Sequence, residues 1–173
     1  MNNAGQCCVA AKRFIVVDKV ADQFITKFQA ALEALTPGDP MEASTTLGPL
    51  CSEKALLNLL DQVKRSVAAG ARILMGGDRI NRTGAFMQPS ILTDIKKGTP
   101  AYMEEFFGPV ALFFRVAYEE EAIALANDSI RFGRLGVYRR YRTRQTRGLS
   151  HCDRNSLRQS PHLDRTRITM WRR

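Results

Sequence analysis

Phe14-Ile15-Val16-Val17 is apolar at every position and rich in β-branched side chains. Such a run offers no polar face to water and reads as a buried strand. A segment of helical periodicity follows at once. Val20, Phe24, Phe28, Ala31, Leu32 and Leu35 recur on one face, Asp18 stands at the start as a cap, and Pro37-Gly38-Asp39-Pro40 forbids continuation. A buried strand feeding directly into an amphipathic helix is the unit from which parallel sheets are built, and it sets the expectation for the rest of the body.

The pattern repeats downstream. Ser52 opens a second helix with Leu56, Leu59, Leu60, Val63 and Val67 on one face and Gly70 as its stop. Arg72–Met75 reads as a strand, Phe86–Leu92 as another, Pro100–Glu105 as a short helix, Val110–Ala117 as a strand and Glu119–Ala126 as a helix. The expected fold class is therefore α/β, with a largely parallel sheet flanked by helices and an irregular Arg-rich tail after it. The 173 residues suffice for one domain with a real core. No apolar run approaches the ~20 residues of a membrane helix, and no basic-then-apolar leader is seen at the start. The four cysteines, Cys7, Cys8, Cys51 and Cys152, show neither a Cys-x-x-Cys pair nor zinc-ligand spacing. These features point to a reducing, cytoplasmic setting, with no membrane partner and no metal.

Charge divides the chain near Gly133. Residues 134–173 hold 12 Arg, no Lys and two acidic residues, Asp153 and Asp164, whereas the remainder holds 14 basic and 15 acidic residues. The net charge of +9 thus belongs to the tail. Twelve Arg attract phosphate without specifying a sequence. No nucleic-acid module accompanies them, so specific nucleic-acid binding is not expected, although an Arg-rich nucleic-acid-binding protein stays as a rival reading. The domain expectation is 1–133 as a body and 134–173 as a tail.

Chemistry points to the first residues. A cysteine nucleophile works as thiolate and needs help from a helix N-terminus, a base or a positive neighbour, because a free thiol ionises only near ~8.5. The plainer reading of Cys7 and Cys8 is two small buried residues. Their surroundings decide against it. Asn3-Ala4-Gly5-Gln6-Cys7-Cys8 resembles the nucleophile segment of the aldehyde dehydrogenase superfamily, Asn-x-Gly-Gln-x-Cys followed by a short helix and a strand. Further motifs of that family follow in order: Gly38-Asp39-Pro40 with Leu47-Gly48-Pro49-Leu50, Gly70-Ala71 with Gly76-Gly77, Glu104-Glu105-Phe106-Phe107-Gly108-Pro109-Val110, and Ala126-Asn127-Asp128-Ser129. The stretch Cys8–Val16 is most similar to the succinate-semialdehyde dehydrogenase branch.

The resemblance implies oxidation of a small aldehyde to its acid with NAD or NADP. Cys8 becomes the nucleophile, Glu105 binds the nicotinamide ribose hydroxyls, and Phe107 packs against the nicotinamide. Lys12 and Arg13 are read as structural or surface charges. The family's general-base Glu and oxyanion-hole Asn precede its nucleophile, so a chain with only seven residues before Cys8 is expected to be a fragment of the catalytic domain with little or no activity. A non-catalytic remnant associating with an intact dehydrogenase subunit, and a homo-oligomer of the intact family member, are the associations the resemblance allows.

The tail departs from the family. Read one base later with degenerate codons, Arg154–Arg172 can encode a Val-Phe-Val-Asn stretch and a Pro-Cys-Gly-Gly turn similar to the segment that is missing. Met170-Trp171 forces the Cys, and Trp171 before any Arg codon forces a Gly. The expectation is out-of-frame translation after about Gly133, yielding a poorly ordered tail.

Overall fold

The structure is a computed structural model that describes residues 2–128 and the backbone of 134–137. A short 3-10 turn, Asn2–Gly5, precedes β1 (Arg13–Val17), α1 (Asp18–Glu33), α2 (Glu53–Ala68), β2 (Arg72–Met75), β3 (Ser90–Thr93), α3 (Pro100–Met103), β4 (Val110–Val116), α4 (Glu119–Asn127) and β5 (Arg134–Val137). The strands form one sheet in the order β2-β3-β4-β1-β5. The pairs β3/β4, β4/β1 and β1/β5 are parallel and β2/β3 is antiparallel. The mixed α/β class with a largely parallel sheet flanked by helices is therefore what the chain adopts.

The apolar strands are apolar because both faces are covered. On β1, Ile15 faces one core and Val16 the other; on β4, Leu112 and Phe114 face the first, Ala111 and Phe113 the second. The first core is closed by Leu56, Leu59 and Val63 of α2 with Tyr102 of α3 and Phe106. The second is closed by Ala21, Phe24 and Leu32 of α1. Phe24 stacks on Phe113 with ring centroids 6.0 Å apart, and Phe28 tilts against Phe14 at 4.7 Å. Among the described residues no helix is long and apolar enough to cross a membrane.

Several element boundaries differ from expectation. Asp18 is the first residue of α1, not its cap. Val17 occupies the cap position without a side-chain hydrogen bond, and Asp18 instead pairs with Arg115 at 3.1 Å. Ala31 is exposed and Ala21 takes its place in the core. Ser52 does cap α2, accepting from the Ala55 N–H at 3.1 Å, and Gly70 ends that segment at φ +99. Val67, however, is 39% exposed, while Ser66 is buried and donates to the Gln62 carbonyl. The strand expected over 86–92 begins only at Ser90, because the preceding residues bond elsewhere. The Ile80 N–H donates to the Phe86 carbonyl at 3.0 Å and the Gln88 N–H to that of Asp78 at 2.9 Å. Helix α3 stops at Met103, since Glu104 is extended (φ −105, ψ 154).

Strand β5 lies just past the boundary expected at Gly133. The remainder of the expected tail falls outside the described residues.

Candidate active site

The thiol-bearing segment is a tight loop held from two sides. Asn3, Ala4 and Gly5 all have left-handed backbone (φ 49, 50 and 78). For a buried alanine that is a strained conformation, and strain of this kind persists only where the surroundings enforce it. The enforcement is visible. The Gln6 N–H donates to the Asn3 carbonyl at 2.9 Å, and Asn3 Nδ2 donates to the Gln6 carbonyl at 3.1 Å. The buried Gln6 amide reaches across to the second motif: Oε1 accepts from the Cys51 N–H at 2.8 Å, and Nε2 donates to the Pro49 carbonyl at 3.4 Å. Gly5 rests on the Glu104–Val110 motif so closely that a Cβ there would stand 2.2 Å from the Gly108 carbonyl oxygen. Three segments far apart in sequence are thereby brought together at one end of the sheet.

Within this loop Cys7 is half-buried and Cys8 is exposed. No helix follows Cys8, contrary to the expectation of a short one. The residues between it and β1 form only a turn, closed by the Ala10 N–H on the Cys7 carbonyl at 3.0 Å. Any backbone N–H that meets charge at Cys8 thus comes from the turn and not from a helix end.

The two acidic residues of the Glu104–Val110 motif are set to different tasks. Glu104 is gripped by Arg65 through two hydrogen bonds of 2.8 and 2.9 Å and by Gln62 Nε2 at 3.0 Å. The Arg65 guanidinium holds its carboxyl below the usual carboxylate range. Glu105 is half-buried, and its backbone carbonyl accepts from Gln62 at 3.1 Å. Among the described residues no side chain hydrogen-bonds its carboxylate. Phe107 is 46% exposed and lines two neighbouring recesses. One recess is shared with Asn58, Gln62 and Glu105, the other with Asn3, Gln6 and Cys51. A carboxylate with open acceptor positions beside an aromatic ring with an open face fits a ribose hydroxyl pair and a flat heteroaromatic ring.

Lys12 and Arg13 are both interior, at 3% and 2% exposure, so neither is a surface charge. Arg13 lies over the Phe114 and Tyr102 rings at 4.9 and 5.2 Å and donates to the Leu125 carbonyl at 3.3 Å. Lys12 lies within the site. Its Nζ donates to the Gly5 carbonyl and stands 5.3 Å from the Phe107 centroid. Burial lowers its pKa, while the charges of Glu105 and Cys7 pull the other way. Sequence reasoning also missed Gln6. The one signal for Lys12 was the pair of charges, Lys12 and Arg13, set inside the otherwise apolar run between Val9 and Val17. The Asp128 carboxylate of the Ala126–Ser129 motif accepts from Tyr102 and pairs with Lys97 at 2.9 Å, which ties the end of α4 to α3. Among the described residues no cluster of metal-ligating side chains occurs.

Residues 1–137 match the pattern of the aldehyde dehydrogenase family. A succinate-semialdehyde dehydrogenase (NADP+) of Deinococcus radiodurans is 48% identical over 129 residues, which is 75% of this chain and 27% of that protein. A probable enzyme of the same description from Synechocystis is 47% identical, over 77% of this chain and 29% of its own length. Succinic semialdehyde dehydrogenase from Streptococcus pyogenes, solved with NADP+, superposes with a TM-score of 0.71 at 44% identity, covering 73% of this chain and 28% of that one. The chain thus spans between a quarter and a third of the length of these relatives.

Proposed function

The chain belongs to the aldehyde dehydrogenase family, and from that premise we propose that it carries the thiol and nicotinamide-side portion of an NADP- or NAD-dependent succinate-semialdehyde dehydrogenase. The observation that carries this reading is the joining of the Cys8 loop to the Glu105–Phe107 segment, through Gly5 on Gly108 and Lys12 on Phe107.

The chemistry assigns one role to each group. The Cys8 thiolate attacks the aldehyde carbon, and the carbonyl oxygen takes up the negative charge of a thiohemiacetal. Turn N–H groups around Cys8 are the local donors for that oxyanion. A nicotinamide dinucleotide, when bound, would supply the hydride acceptor that takes the thiohemiacetal to the thioester level. Water then releases the acid and regenerates the thiol. Glu105 would accept hydrogen bonds from the nicotinamide ribose, and Phe107 would support the ring. Glu104 is spent on Arg65 and Gln62, which holds the segment in place and leaves the task to its neighbour.

The test is thiol labelling. Iodoacetamide followed by peptide mass spectrometry separates Cys7, Cys8 and Cys51. Cys8 is expected to react first, about tenfold ahead of the others, and succinate semialdehyde is expected to slow it. Faster labelling of Cys7 or Cys51, or no protection by the aldehyde, would remove Cys8 from this role.

A further inference from the structure

Lys12 is a charged side chain that does not reach water. A lysine at a core boundary ordinarily runs its apolar stem along the surface and keeps its ammonium solvated. Here the head turns inward and meets two parts of the site. On one side it donates to the Gly5 carbonyl, in the strained loop three residues before Cys8. On the other it stands 5.3 Å from the Phe107 centroid, within the range of a cation–π attraction, and within reach of the charge of Glu105. The Gly5 backbone already abuts Gly108, so loop and segment share a surface that the ammonium spans.

We propose that Lys12 is a positioning residue, whose ammonium holds the Gly5 carbonyl and the Glu105–Phe107 pair in one arrangement so that the nucleophile loop and the nicotinamide-side surface keep register with each other. This rests on the roles of Cys8, Glu105 and Phe107 proposed above. The cation does not touch the aldehyde. It acts through the two groups it fixes, and three interactions converge on it that no neutral side chain supplies together.

The full chain is compared with Lys12→Met, which keeps the length and apolar stem, and Lys12→Arg, which keeps the charge. NADP+ affinity is measured by calorimetry across pH, and amide hydrogen exchange is followed for residues 3–9 and 104–108. Lys12→Met is expected to weaken NADP+ about tenfold, the loss of one charge-assisted contact, with Lys12→Arg recovering most of it. The groups facing Lys12 are Glu105 and Cys7. Wild-type affinity should fall on the alkaline side, below the ordinary lysine range, and this limb should be absent from Lys12→Met. Equal affinity in Lys12→Met, an alkaline limb that persists in it, or failure of Lys12→Arg to recover affinity would overturn the proposal while leaving the cofactor reading intact. Absence of NADP+ binding by the wild-type chain would defeat the cofactor reading instead. The positioning role is then decided by exchange in the ligand-free chain. Faster exchange in both segments of Lys12→Met, reversed in Lys12→Arg with β4 unchanged, supports it; unchanged exchange, or faster exchange in only one segment, overturns it.

Discussion

Gly5 has no room for a side chain. Its left-handed backbone penalises any other residue, and an added Cβ would meet the Gly108 carbonyl carbon at 2.7 Å as well as its oxygen. Gly5→Ala is expected to cost about 1–3 kcal/mol from backbone strain alone, read as a shift in urea midpoint, and to raise the exposure of Cys8 to iodoacetamide by loosening the contact. Glu104 gives a prediction in pH. Arg65 lowers its pKa in the folded state, so the ion pair contributes stability above the unfolded glutamate value near ~4.3. That contribution is lost as the pH falls through the lower folded value. With its side chain 35% exposed, solvent screening limits the effect to about 0.5–1 kcal/mol. Urea midpoints of wild type and Glu104→Gln should differ at pH 7 and converge as the pH falls through the lowered folded value; a constant difference would mean that the pair does not titrate as described. At this scale motif matching singled out Cys8, Glu105 and Phe107, the residues proposed here for the chemistry. It did not place Lys12, because a Lys-Arg pair leading into an apolar strand looks alike whether the lysine head points to solvent or inward. The direction is set by Gly5 and Phe107, seven residues back and 95 residues ahead in the chain.

The elements were legible wherever one face repeated and a cap was chemically complete. Helix α2 had both: a Ser52 hydroxyl for its N-terminus and Leu56, Leu59 and Val63 on one stripe. Ser52→Ala is expected to lower stability by about 1 kcal/mol, measured by thermal or urea unfolding. Leu59 matters more, since it is 2% exposed and its methyl lies where a Gly108 side chain would be. Leu59→Ala should cost about 2–5 kcal/mol and loosen the bend that carries Glu105 and Phe107. A smaller loss would show that the pocket under Gly108 refills. Strand β3 was harder to bound. Phe86 and Met87 are buried like strand residues, yet Phe86 spends its backbone carbonyl on Ile80 and Met87 is bridged to Arg79. Burial periodicity reports which side chains are inside. It does not report which backbone receives the hydrogen bonds.

At the scale of the sheet, the order β2-β3-β4-β1-β5 sets β1, the strand that follows the thiol loop, between two parallel partners. That arrangement accounts for its apolar run, because a strand paired on both edges and covered on both faces has no place for polar residues except at its ends, where Lys12 and Arg13 stand. Its outer partner is β5, with Phe14 opposite Leu135 and Ile15 opposite Gly136. The abrupt change to Arg-rich sequence obscured this strand, since Arg134-Leu135-Gly136-Val137 carries no apolar run of its own and borrows its definition from β1. In a parallel ladder the N–H groups of adjacent residues point to opposite edges, so only one of Leu135 and Gly136 can donate to β1. Proline in place of the donor removes a ladder bond, whereas proline at the neighbour faces the side on which no strand pairs among the described residues and is tolerated there. One of Leu135→Pro and Gly136→Pro should therefore cost about 3 kcal/mol and the other much less, as read from paired urea melts. Equal and negligible effects would mean that β5 contributes nothing to holding β1. The register of the thiol loop would then rest on β4 alone.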